Sequence, residues 1–332
     1  MSEMNEVKVV EIDDLCGIIN FLLTLRLPNE TRLKEDFCSK LSAKNHDALL
    51  LEINKNFFSS EKSRDEEDIN SFWSFRGQRD SRWGLGINYR FGDNKTIFEI
   101  SPETGFDGFG TLLEQFKTRM KEFRHQEQEI NHLDEKDEWD WLFYAQHHRM
   151  YTRLLDWTSN PLVAIYFAVE DIGSEWNKEK ANPNEDKKEY EGGAVWALKA
   201  GAGNFFYPNI LPNKFGDPRK QLESRQETGE MKRLESKDWF MINPAPITKR
   251  IARQSAKFTF HPGDEAELKQ PFDDLIRQHG NGQLIKIKIK DKHIKLIRQQ
   301  LGIMNIHHAS LFPSPTGVAE FVNREWPKIG KY

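Results

Sequence analysis

The chain has 332 residues, enough for one large or two modest domains around a sizeable buried core. A net charge of −4 demands no nucleic-acid partner, and 30 % charged against 37 % hydrophobic residues describes a soluble globular protein. Two cysteines, Cys16 and Cys38, are too few for a disulfide framework or a cysteine-based zinc site. The absence of a long apolar run and of a basic leader at the acidic start Met1-Ser2-Glu3 leads to the expectation of a cytoplasmic protein with no membrane partner.

In chain order, residues 7–12 read as a strand and 15–25 as an apolar helix, and a charged stretch follows. Together they form an N-terminal strand-and-helix segment over 1–70. The β-prone run 71–78 ends in Arg76, Gly77 and Gln78. An arginine at a strand end is a two-pronged donor for a phosphate or carboxylate. Gly77 admits a backbone or ligand at close range. Gly84 and Gly86 suit a turn after Trp83, and their spacing from Gly77 is not a dinucleotide fingerprint. No GxxxxGK[ST] occurs, which argues against a nucleoside triphosphatase.

Leu112, Phe116, Met120 and Phe123 predict a helix over 111–128. Trp139, Leu142, Phe143 and Gln146 predict another, from residue 137 or 138 to about 148, with one inward stripe ending in an amide. Residues 152–158 read as a strand with Arg153, Leu155 and Trp157 on one face and Thr152, Leu154, Asp156 and Thr158 on the other. Asn160-Pro161 then reads as a cap and first turn, opening a helix apolar around nearly its whole circumference. Residues 173–192 form a charged insertion, and 200–246 are mostly turn signals with a helical piece near 221–234. Gln283 to Lys290 alternates strictly, predicting a strand with isoleucines inward and lysines outward. That pattern suits a protected sheet edge or a phosphate-backbone contact. Asp291 is expected to cap a helix over 292–301 that Gly302 ends.

Gln146, His147, Thr152, Arg153, Asp156 and Thr158 stand between segments that read as core, so they must be paired or working. Arg76 is a ligand-binding group or half of a buried pair with Asp156. Asp156 orients Arg76 or Arg153, or acts as a general base. Adjacent His147 and His148 point apart and cannot chelate together, so no metal is expected. Arg153 serves as a strut or a clamp, and Trp157 is core or a stacking surface for a ring.

FRGQ at 75–78, WGL at 83–85, AQHHRMYTRLLDWTSNPLVAIYFA at 145–168 and GAVWAL at 193–198 resemble the FRG-domain family. RIARQSAKFTF at 250–260 and the block at 301–322 resemble its later parts, so the resemblance runs from about residue 7 to 322. It places the FRG domain at 71–325 and implies an α+β domain with a mixed central sheet, similar to a divergent ADP-ribosyltransferase. The implied substrate is NAD. Arg76 would hold its phosphate, with Gly77, Gln78, His147, Arg153 and Thr158 lining the site. Gln254 or Asp156 would steady charge on the ribose. The implied role is a bacterial toxin or anti-phage effector that modifies nucleic acid or protein under an antitoxin or phage trigger. The alternatives are a non-catalytic module binding a nucleotide or phage component, or a nuclease. The chain departs from the family pattern where a glycine usually follows Gln146-His147 and where one follows Gln254. His148-Arg149-Met150-Tyr151 and Ser255-Ala256 stand there, and side chains in place of glycine bear on ligand approach at those two turns.

Overall fold

The structure is a computed structural model that describes residues 8–11, 15, 17–18, 72–86, 108–123, 130–131, 133, 138–170, 191–200, 205–206, 239–261, 272–274 and 282–324. Its strands in chain order are β1 (Lys8–Glu11), β2 (Phe72–Gln78), β3 (Leu154–Thr158), β4 (Gly192–Ala200), β5 (Phe205–Phe206), β6 (Phe240–Ile242), β7 (Ala256–Phe260) and β8 (Gly282–Lys290). Its helices are α1 (Gly108–Met120), α2 (Glu138–His147), α3 (Pro161–Val169), α4 (Lys249–Arg253), α5 (Asp291–Ile303), α6 (His308–Leu311) and α7 (Pro315–Arg324). The strands form one mixed sheet in the order β1-β8-β4-β2-β3-β7-β6-β5. The six central strands are antiparallel, and β1 and β5 add to the two sides in parallel.

Alternation along the strands sets the layers. Phe75, Val195, Ala197, Ile285 and Ile287 form a core with α3 and α5. On the same face, Leu154, Phe240, Phe258 and Phe260 form a second core with α1 and α2. The intervening residues Leu155, Trp157, Trp196, Leu198 and Met241 turn to the opposite face, where Leu85, Trp239 and Phe272 cover them. The alternation expected for residues 152–158 is therefore realised at Leu154, Leu155 and Trp157, in a strand that starts at Leu154.

α3 lies as close to the sheet as a backbone allows. Its amides are capped by Asn160, whose side chain accepts from the Leu162 N–H at 3.0 Å. A Cβ at Gly77 would stand 1.9 Å from the Ala164 carbonyl oxygen, and one at Gly193 would stand 2.0 Å from that of Ala168. Gly77 therefore admits a helix, and the ligand approach expected on that face is closed by α3.

Several sequence expectations change. α1 begins at Gly108 and ends at Met120, followed by a 3₁₀ turn at Lys121–Phe123, and residues 124–128 lie outside the described residues. α2 is buried well beyond one stripe, since Trp141, Tyr144 and Ala145 join Trp139, Leu142 and Phe143. The stretch expected to be turns supplies β5 and β6 to the sheet. The helical piece at 221–234 and most of the 173–192 insertion fall outside the described residues, as do residues 19–71. β8 is an inner strand, because distant β1 pairs with its outer side. Its lysines are matched: Lys286 donates to the Trp83 carbonyl at 2.9 Å, and Lys288 and Lys290 pair with Glu191 and Glu11. α5 starts at Asp291 with Lys290 as its cap and runs through Gly302. It closes instead at Asn305, whose φ is 59°.

Within the two turns where the resemblance leads to the expectation of a glycine, Arg149 at φ 64° and Ser255 at φ 46° lie in the left-handed region. At the end of α2 the Met150 N–H bonds to the Ala145 carbonyl at 3.0 Å and the Arg149 N–H to that of Gln146 at 3.0 Å. That is a Schellman closure, whose left-handed position favours glycine. Glycine at these sites answers to helix termination. Replacing Arg149 or Ser255 by glycine is expected to raise unfolding free energy by about 0.5–1 kcal/mol in denaturant titration. Gly77→Ala should lower it by about 3 kcal/mol, because the clash is with helix backbone.

Candidate functional site

β2 and β3 share one register pair, Phe75 with Thr158, whereas β3 pairs with β7 over its full length. Beyond that pair β2 offers no backbone partner to the Asp156 carbonyl, and the Arg76 side chain takes the place. Its Nη1 donates to the Asp156 carbonyl at 2.8 Å and stands 3.8 Å from Asp156 Oδ2. The Arg76 Nε is buried without a partner among the described residues. Burial pulls the Arg76 guanidinium below its usual range, and the Asp156 carboxylate opposes this.

The carboxylate beside it is open. The Asp156 side chain is 59 % exposed and that of Arg76 22 %. Gln146 Nε2 donates to Asp156 Oδ2 at 3.0 Å, and the Gln146 oxygen accepts from the Thr152 hydroxyl. The amide that ends the α2 stripe is thus oriented by a buried hydroxyl and fixes the carboxylate.

α4 closes the other side. Thr248 caps it, accepting from the Ile251 N–H at 3.1 Å, and its hydroxyl lies 2.7 Å from His147 Nδ1. Arg250 Nη1 donates to the His147 carbonyl at 2.6 Å, and its guanidinium lies 4.6 Å from the centre of the Phe312 ring. Burial first, then Arg250 and His148, push the His147 imidazole down to about 3, so it is neutral at pH 7. It is a neutral hydrogen-bonding group there.

The sequence-derived candidates divide. Arg76 and Asp156 meet, and Gln146 and His147 stand beside them. Gln78 turns to its own loop, accepting from Trp196 Nε1 at 2.6 Å and donating to the Gly84 carbonyl at 3.0 Å. Arg153 sits ahead of β3, donating to the His261 carbonyl at 3.3 Å, away from Thr158. The Thr158 hydroxyl donates to the Gln254 carbonyl at 2.6 Å, and the Gln254 amide donates to the Leu311 carbonyl at 3.1 Å. Those two join β3 to the α4 turn and α6. Trp157 faces the opposite core and donates to the Thr259 hydroxyl at 3.1 Å, which removes it as a stacking surface for a ligand at Arg76. Sequence reasoning missed Thr248, Arg250 and Phe312. The only signal was a threonine three residues ahead of Ile251, a capping pattern.

Among the described residues, no group of three or more His, Cys, Asp or Glu is placed to hold a metal ion. No helix among them is long and apolar enough to cross a membrane.

This architecture is a mixed α+β fold whose mostly antiparallel sheet carries a half-buried arginine beside an exposed carboxylate. Residues 71–176 match the family model of the FRG domain, a stretch from β2 through α3, and the match supports the FRG-domain family for this chain. No curated protein and no solved structure matches the chain.

Burial first, then Arg153, holds the His261 imidazole down at about 3, against an ordinary value of 6.5. The unfolded chain takes up that proton first as pH falls. The contribution is therefore complete above about pH 6.5 and is lost progressively as pH falls toward 3. By pH 5 this one group should remove about 2 kcal/mol. Urea titrations at pH 7 and pH 5 should show that decrement in the wild type and a smaller one in His261→Gln.

Proposed function

We propose that the chain is an NAD-dependent ADP-ribosyltransferase that modifies a macromolecule. The observation that carries the reading is the Arg76 guanidinium, set in the opening between β2 and β3 with a buried unpartnered Nε, beside the exposed carboxylate of Asp156. A fork of fixed N–H donors in partly dry surroundings suits a phosphate oxygen. An adjacent carboxylate suits the positive charge that develops on a ribose carbon when nicotinamide departs with the electrons of its glycosidic bond.

In this reading Arg76 anchors the dinucleotide and Asp156, held by Gln146, faces the reacting carbon. A nucleophile of the acceptor then forms the new bond and loses its proton. Gln254 and Thr158 serve as struts, since their polar groups are already bound to one another and to α6. The acceptor is a nucleic acid or a protein. The β8 lysines do not favour the former, being matched within the chain.

The test is incubation of the protein with NAD labelled on the adenylate phosphate, together with cell lysate, with and without nuclease. Label should move to macromolecular material, and its loss on nuclease or protease treatment names the acceptor class. Arg76→Ala, with Arg76→Gln as a milder partner, should remain folded and transfer nothing. Asp156→Asn should keep NAD binding and lower nicotinamide release by about 100-fold. A folded wild type that binds NAD yet releases no nicotinamide would show a nucleotide-binding module instead.

A further inference from the structure

We propose that Arg250 is a second anion-binding residue at the opening, and that with Arg76 it receives the two phosphates of a diphosphate. The inference deepens the transferase reading and rests on the same site.

Both guanidinia lie in the field of one carboxylate, Asp156, and come from different elements. Arg76 on β2 stands 3.8 Å from Asp156 Oδ2. Arg250 on α4 binds the carbonyl of His147, the neighbour of Gln146, and Gln146 holds that same Oδ2. The charges facing Arg250 are Asp156, Arg149 and Glu170.

Both arginines are built alike. Each makes one hydrogen bond among the described residues, to a backbone carbonyl, through Nη1. A guanidinium has five N–H donors, so most of each fork is left for a ligand. A strut that only closed the α2 end would not need a planar cation fixed from a second side. Arg250 is fixed in that way: its guanidinium packs on the Phe312 ring, and His308 stacks on that ring at 4.3 Å. His308 is itself held between Glu170 Oε1 at 3.3 Å and Glu320 Oε2 at 2.9 Å. The stack presets the plane of the fork, which lowers the entropy lost when an anion binds.

One fork suffices for a monophosphate, whereas two forks on separate elements match adjacent phosphoryl groups. Asp156 offsets part of the positive charge of both while no ligand is bound.

The test is calorimetric titration of the full chain with ADP, inorganic pyrophosphate and AMP, comparing wild type, Arg250→Gln and Arg250→Lys, with thermal melts as a folding check. The wild type should bind ADP and pyrophosphate more tightly than AMP. Arg250→Gln should weaken both diphosphates about tenfold and leave AMP within about twofold. Arg250→Lys, which keeps the charge and loses the fork, should fall between. If a folded Arg250→Gln weakens ADP and AMP equally, or weakens neither, Arg250 is a helix-end strut and the proposal fails. A wild type that binds none of the three also overturns it. Should Arg250→Gln not fold, the lysine variant decides: selective loss of diphosphate binding supports the proposal and unchanged selectivity sinks it. Diphosphate selectivity that depends on Arg250, in a protein that releases no nicotinamide, supports this site while removing the transferase reading. Nicotinamide release with ADP affinity unchanged in Arg250→Gln does the reverse.

Discussion

The seating of α3 directly on the glycine backbone of β2 and β4 is the constraint on which the rest depends. α3 follows β3 after two residues, so fixing the helix against Gly77 and Gly193 also fixes the end of β3 relative to β2. Phe75 and Thr158 pair at that end, and away from it the strands part. The opening beside Arg76 is therefore a consequence of how closely an apolar helix can approach a sheet. A side chain at residue 77 would lift α3, and Arg76 and Asp156 would lose their relative position.

Charge placement around the opening follows from burial. Arg76 and Arg250 are held by backbone carbonyls, a neutral partner that satisfies a donor without cancelling its charge. His147, between Arg250 and His148, stays neutral because a further proton there would be repelled and poorly solvated. The acids Glu170 and Glu320 pair with His308, which stacks on Phe312. Arg76 and Arg250 thus keep donors open near Asp156, while Glu170 pairs with His308 and also acts on Arg250.

Much of this was legible in the chain. The caps at Asn160-Pro161, the all-round apolar α3 and the alternation through β3 and β8 are local patterns, and local patterns survive folding when the core they imply is built. Arg76 and Asp156 were also legible, because charges inside apolar runs must be paired or used. Where the Gln254 side chain points was not legible, because position in the chain does not say where an amide points; it donates to a carbonyl of α6. The glycine departures at Arg149 and Ser255 read as questions of ligand access, yet they lie at left-handed positions, which only backbone geometry discloses.

The sequence by itself determined β2, β3, α3, β8 and α5 as strand or helix, the faces that β3 and β8 bury, and that polar groups concentrate between residues 146 and 158. Those properties depend on side-chain period and on neighbours a few residues away. Tertiary structure alone decided that β8 is inner rather than an edge, that Gly77 meets a helix, and that Arg250 shares the field of Asp156 with Arg76. Each of these rests on contacts between segments separated by many residues, whose partners are chosen by which surfaces can be buried together.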